Sequence, residues 1–142
     1  MRIAVNYMKV LPLVLGSVLL TACAGQSAVK LGLQAPEQRA VDRWQLVIDG
    51  KHAEAYDYLS PGARELQSRE NYAAAVASRP VTYLAVEPAD KSCDDANLVC
   101  TVVSRVTFSV ISGLQGVGKM QASSLIEERW INSSGQWYLV PE

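Results

Sequence analysis

The chain has 142 residues, 49% hydrophobic and 19% charged, with 13 basic against 14 acidic side chains for a net charge of −1. That length holds one domain and excludes large α/β barrels and multidomain enzymes, and the composition is that of a globular chain. The balanced charge, with no basic stripe on any predicted element, argues against a nucleic-acid partner; three cysteines and one histidine leave little for a metal cluster.

At the N-terminus, Val10 to Ala22 form an apolar run, VLPLVLGSVLLTA, preceded by Lys9. It is shorter than the roughly 20 residues a membrane-spanning helix needs, and small residues follow it, so it reads as a signal peptide. Met8-Lys9 is a second candidate start beside Met1. The run ends in Leu20-Thr21-Ala22-Cys23, which resembles the lipobox of bacterial lipoproteins. The resemblance implies cleavage before Cys23 and acylation of its thiol and amine, hence stable membrane anchoring through several acyl chains. Ala24 follows the cysteine where Asp would retain a lipoprotein at the inner membrane; by that family rule the expected location is the outer membrane, facing the periplasm. Removing residues 1–22 leaves eleven basic against fourteen acidic side chains. Residues 23–35 then form the lipidated cysteine and a small, polar, aperiodic linker, and residues 36–142 form the domain.

Two further cysteines, Cys93 and Cys100, flank the turn-forming stretch DDANLV. Export to an oxidising compartment makes a disulfide between them the expected state. Their spacing is not that of a C-x-x-C redox motif.

Helices are predicted first. Over Pro36 to Asp49, the apolar residues Ala40, Val41, Trp44, Val47 and Ile48 share one helical face, and Gly50 ends the helix. A short second helix over Lys51 to Leu59 carries Ala55, Tyr56 and Leu59. Ser60-Pro61 is an N-cap followed by proline at the first helical position, so a third helix starts there. Ser68 caps a fourth segment holding Tyr72 and Val76, stopped at Arg79-Pro80.

Strands follow. Val81 to Glu87 is β-branched and aromatic and is ended by Pro88. Leu98 to Val110 alternates, with Leu98, Cys100, Val102, Val106, Phe108 and Val110 on one face. Met120 to Asn132 reads as a strand, although LIEERWI also suits a helix; Ser133-Ser134-Gly135 then turns the chain into the last strand, Gln136 to Val140. The fold class is α+β, with N-terminal helices packed on an antiparallel meander.

Trp44 to Lys51, then AYDYLSP at 55–61 with Arg64, and Glu128 to Ile131 with Gly135 to Leu139 resemble small bacterial members of the nuclear-transport-factor-2-like superfamily. The resemblance implies a cone of helices wrapped by a curved antiparallel sheet, often with an apolar pocket. Fold alone does not set function. Enzymes of that superfamily place an Asp or His base and a Tyr or Asp donor in the cone, for which Asp57, Tyr56, Tyr58, Tyr83 and His52 are the candidates here. His52 and Asp57 read instead as solvated residues and Tyr56 and Tyr58 as packing residues. No convergent acid–base set is visible, so no catalytic residue is assigned and the chain is read as a non-enzyme. Gly113 to Lys119 fits G-x-x-x-x-G-K but ends at Met120, without the Ser or Thr that holds Mg²⁺, so it reads as a loop between strands.

The function expected is therefore that of a lipid-anchored envelope protein, needing no cofactor or metal, that binds a small apolar ligand or an envelope protein partner. The alternatives are a homodimeric assembly module and an isomerase or hydrolase acting in the cone.

Overall fold

The computed structural model describes residues 34–111 and 118–142. The signal peptide, Cys23, most of the linker and the tip of the glycine-rich segment lie outside the described residues. No helix among the described residues is long and apolar enough to cross a membrane.

Helix α1 spans Pro36–Ile48. Pro36 sits in its first turn, where a missing N–H costs nothing. Beyond it Gly50 takes φ +74°, the left-handed conformation that lets the Lys51 amide return to Leu46 O at 2.8 Å and close the helix end. Its buried stripe is Pro36, Arg39, Ala40, Arg43, Trp44 and Val47. This stripe is rotated from the one drawn by hydrophobicity alone: Val41 and Ile48 are half-buried, and two arginines take their place.

Helix α2 (His52–Ala55) runs into a 3-10 turn at Tyr56–Tyr58. Helix α3 (Pro61–Leu66) is capped by Ser60, whose Oγ accepts from the Ala63 amide at 3.3 Å. Ser68 caps α4 (Arg69–Ala77) in the same way, accepting from the Asn71 amide at 3.2 Å.

Strands β1 (Thr82–Cys93), β2 (Val99–Ile111), β3 (Lys119–Ser133) and β4 (Gln136–Val140) form one antiparallel sheet in that order. Strand β1 runs on through Pro88, where the sequence suggested a stop. It is an edge strand, so a proline without an N–H is tolerated, and the ladder accommodates it with a register shift between Pro88 and Asp90. The segment holding LIEERWI is strand throughout. Between β3 and β4, Ser134 and Gly135 adopt φ of 54° and 81°, the two-residue hairpin turn whose twist suits the strands. Cys93 and Cys100 are paired across β1 and β2 with Cα atoms 4.0 Å apart and are joined by a disulfide.

The inner face of the sheet carries Cys100, Val102, Ser104 and Val106 from β2, opposite Trp130, Glu128, Ile126 and Ser124 of β3. Helix α1 packs on this face against β1 and β2. Trp130, Leu59, Val102, Val106 and Cys100 are fully buried there, and the Ser60 amide ties the helical half to β4 by donating to Leu139 O at 2.8 Å.

The helices cover only part of the sheet. Lys119 through Leu125 are all exposed, and Phe108 and Val110 are half-buried. The architecture is thus broadly α+β, a four-stranded meander with short helices on one end, and the nuclear-transport-factor-2-like cone expected above is corrected. The resemblance rested on short stretches at the two ends of the domain, Trp44 to Lys51, 55–61 with Arg64, and Glu128 to Ile131 with Gly135 to Leu139. Those are local signals, satisfied by neighbouring residues, and they do not encode how far the helices extend over the sheet.

Candidate functional site

The most unusual feature of the interior is a buried ion pair. Arg43 on α1 and Glu128 on β3 are 6% and 8% exposed, and the Arg43 guanidinium donates to Glu128 Oε1. Arg43 also reaches the Tyr72 hydroxyl of α4 at 3.4 Å and stacks over the Trp44 ring at 4.7 Å. Register explains why Glu128 is inside. It lies opposite Val102 on β2, two residues from Trp130, so the period of two that buries the tryptophan buries the carboxylate as well.

The pair is incompletely satisfied. Glu128 Oε2, Arg43 Nε and the indole nitrogens of Trp44 and Trp130 are all buried without a hydrogen-bond partner, as is Ser104 Oγ. Burial raises the Glu128 pKa above the usual carboxylate range. Arg43 pulls it back down, and the two indole N–H groups add to that pull from beyond hydrogen-bonding geometry. The net upward direction means that desolvation outweighs the ion pair.

This cluster floors an open cleft of about 300 Å³ bounded by Arg43, Trp44, Tyr72, Arg79, Tyr83 and Glu128. Tyr83 meets Trp44 edge-on at 5.1 Å and accepts a hydrogen bond from Arg79 at 3.3 Å. Tyr83 and Ile126 also line a second, largely apolar recess of about 240 Å³, completed by Val81, Val106, Phe108 and Ser124. The two are continuous along the inner face, one polar at its floor and the other apolar. A wider groove of about 480 Å³, lined by Ser92, Thr101, Glu127 and Arg129, involves the opposite, solvated face. Its lining is mostly polar, with Val99 and Cys93 as its apolar members.

The residues singled out from the sequence are not brought together. Asp57 is exposed and paired with Arg69 at 3.0 Å, and that hydrogen bond lowers its pKa. The Tyr56 hydroxyl is spent on the carbonyls of Arg64 and Gln67, at 3.0 and 2.8 Å, locking the end of α3. Tyr58 lies under the Arg39 guanidinium at 4.3 Å, and Arg39 donates to Trp137 O at 2.9 Å. His52 opens α2 and is half-buried. Of that set, Tyr83 alone borders the cleft. Lys119 opens a strand and not the helix a phosphate-binding loop requires. Among the described residues, no cluster of His, Cys, Asp and Glu is placed to hold a metal.

Arg43 and Glu128 escaped the reading by hydrophobic pattern because both are charged. The signal that locates them is positional: Arg43 falls one turn from Ala40 and Val47, and Glu128 shares the parity of Trp130.

No protein-family model matches this chain, and no curated protein does. Among solved structures it is similar to the solution structure of a SEC-C motif containing protein from Rhodopseudomonas palustris. The TM-score is 0.58 at 16% identity, covering 75% of this chain and 76% of that one. Identity at this level speaks to fold alone. That fold, rather than the nuclear-transport-factor-2-like cone, is the one with which this sheet and its helices compare.

Proposed function

We propose that this is a lipid-anchored envelope protein, tethered through Cys23, whose domain binds a small, predominantly apolar molecule on the inner face of the sheet. The observation that supports the binding half of this reading is the continuity of the apolar recess at Val106, Phe108 and Ile126 with the polar-floored cleft at Arg79 and Tyr83. A ligand with an apolar body and one polar end fits that sequence of surfaces: burial supplies the affinity and a few polar groups set orientation. The support for the anchoring half is the lipobox resemblance of Leu20 to Cys23.

The binding test uses an amphiphilic dye, anilinonaphthalene sulfonate, with the purified full-length chain. One saturable site is expected, lost in Phe108→Asp while the circular dichroism spectrum is unchanged. Absence of saturable binding, together with native mass spectra free of any co-purified molecule, would overturn the reading. For the anchor, metabolic labelling with a palmitate analogue is expected to mark the wild-type chain and not Cys23→Ser.

One observation favours a second reading, proton-transfer catalysis. Glu128 is a carboxyl with a raised pKa at the floor of a cleft that also holds two tyrosines. Its pairing with Arg43 weighs against that role, because the arginine holds one of its two oxygens. A ¹³C-detected titration of Glu128 decides: a carboxyl that changes protonation near neutrality keeps catalysis open, and one ionised throughout removes it.

A further inference from the structure

The two sides of the β1–β2–β3 ladder are guarded very differently. An unpaired strand edge is a template for another strand, and proteins blunt such edges with proline, bulges and charges. The β1 edge has all three: Pro88, register shifts at Tyr83/Ala85 and Pro88/Asp90, and the charged residues Glu87, Asp90 and Lys91. The β3 edge has none of them over most of its length. Among the described residues strand β4 pairs only with Arg129 to Ser133, and beyond it Pro141 and Glu142 border a cleft with Glu127 and Glu128 without joining the ladder, which leaves Lys119 to Ile126 free on that side. From Met120 to Ile126 this edge holds no charge, no proline and no glycine, and its pairing with β2 runs without a register shift.

We infer that the free edge of β3 pairs antiparallel with the same edge of a second copy of this chain, about a two-fold axis at Ser123. Charge complementarity selects a second copy as the occupant and selects the register. With Ser123 opposite Ser123 of the second copy, Lys119 of each chain stands opposite Glu127 of the other. Both residues project from the outer face, opposite Ile111 and Val103 of β2 respectively. Neither has an ion-pair partner among the described residues. The same register sets Met120 opposite Ile126 on the inner face, joining a half-exposed apolar side chain to the wall of the apolar recess. Shifting the pairing by one residue would put inner-face residues against outer-face ones, and shifting it by two would separate the charges. The two four-stranded sheets become one of eight strands; the isologous contact uses up both free β3 edges, and the β1 edge left in each copy is the blunted one.

The pairing is tested on the purified full-length chain. Under mild oxidation, Ser123→Cys is expected to give a disulfide-linked species of twice the chain mass on a non-reducing gel, above any level the parent chain gives through Cys23. Gln121→Cys alone is expected to give much less, and the double variant Gln121→Cys/Leu125→Cys to give the linked species again. In a sedimentation series, Lys119→Glu sets like charges opposite each other twice and is expected to weaken dimerisation roughly tenfold. Adding Glu127→Lys to it restores the opposite-charge pairs and the affinity. A monomer at all concentrations, a dimer indifferent to Lys119→Glu, or an adduct of Ser123→Cys with a chain of different mass would overturn the inference. The last outcome would identify the edge as a docking strand for another protein.

Discussion

The two ends of the sheet are built from the same long strands and have opposite fates. At one end, Cys93, Cys100, Trp130, Trp137 and Leu139 are closed in by α1, the 3-10 turn and a disulfide. At the other, the same inner face carries Met120, which is 50% exposed, and the half-buried Phe108 and Val110, with none of the described helices over them. Strand periodicity is the same at both ends, so alternation decides which face is apolar and not whether anything covers it. The closed end holds the buried core, and the open end leaves apolar surface uncovered. The cleft at Arg43 and Glu128 lies where one passes into the other.

The sharpest contrast comes from truncating apolar side chains at each end. Trp130→Ala at the closed end is expected to cost about 4 kcal/mol, whereas Met120→Ala, on the same face at the open end, should stay within about 1 kcal/mol. Urea titration of both variants checks it, and equal losses would break the comparison.

The boundary itself is tested through the ion pair. Arg43→Met leaves Glu128 buried and unpaired and should cost about 3 kcal/mol, while Arg43→Met/Glu128→Leu should recover most of that loss. A double-mutant cycle by chemical denaturation measures the coupling. Because the folded pKa of Glu128 is raised, its contribution is full below the unfolded value of about 4.3 and is lost as pH rises through the higher folded value. The stability of the wild type relative to Glu128→Gln is therefore expected to fall across that window, as followed by thermal melts at stepped pH.

Removing the staple with Cys93→Ser/Cys100→Ser is expected to cost about 2.5 kcal/mol, as closing so short a loop implies. Amide exchange should then rise at the closed end and change little at Lys119 to Leu125, which lie at the other end of the sheet from the disulfide. The smallest effect belongs to the solvated pair on the helices. Asp57→Asn is expected to cost less than about 1 kcal/mol. Since hydrogen bonding to Arg69 lowers the Asp57 pKa, that contribution is present above the unfolded value of about 3.9 and is lost as pH falls through the folded one. Denaturation midpoints of both chains at pH 7 and pH 2.5 should converge at the lower pH.

The sequence by itself determined the local features. Pro36 starts α1, Gly50 ends it, Ser60 and Ser68 cap two helices, and Ser134-Gly135 sets the last hairpin. Each is decided by groups within a few residues of one another, so no distant contact was needed to read it. The tertiary structure alone decided that β1 passes through Pro88, because an edge strand is defined by its missing neighbour. It also decided that Arg39 and Arg43 turn inward in place of Val41 and Ile48. A buried charge needs a partner, and here that partner, Glu128, arrives from 85 positions along the chain. How far the helices reach over the sheet, and hence the open cleft and the free edge of β3, was settled in the same way. It depends on the packing of α1 against β1 and β2, and no local pattern records that.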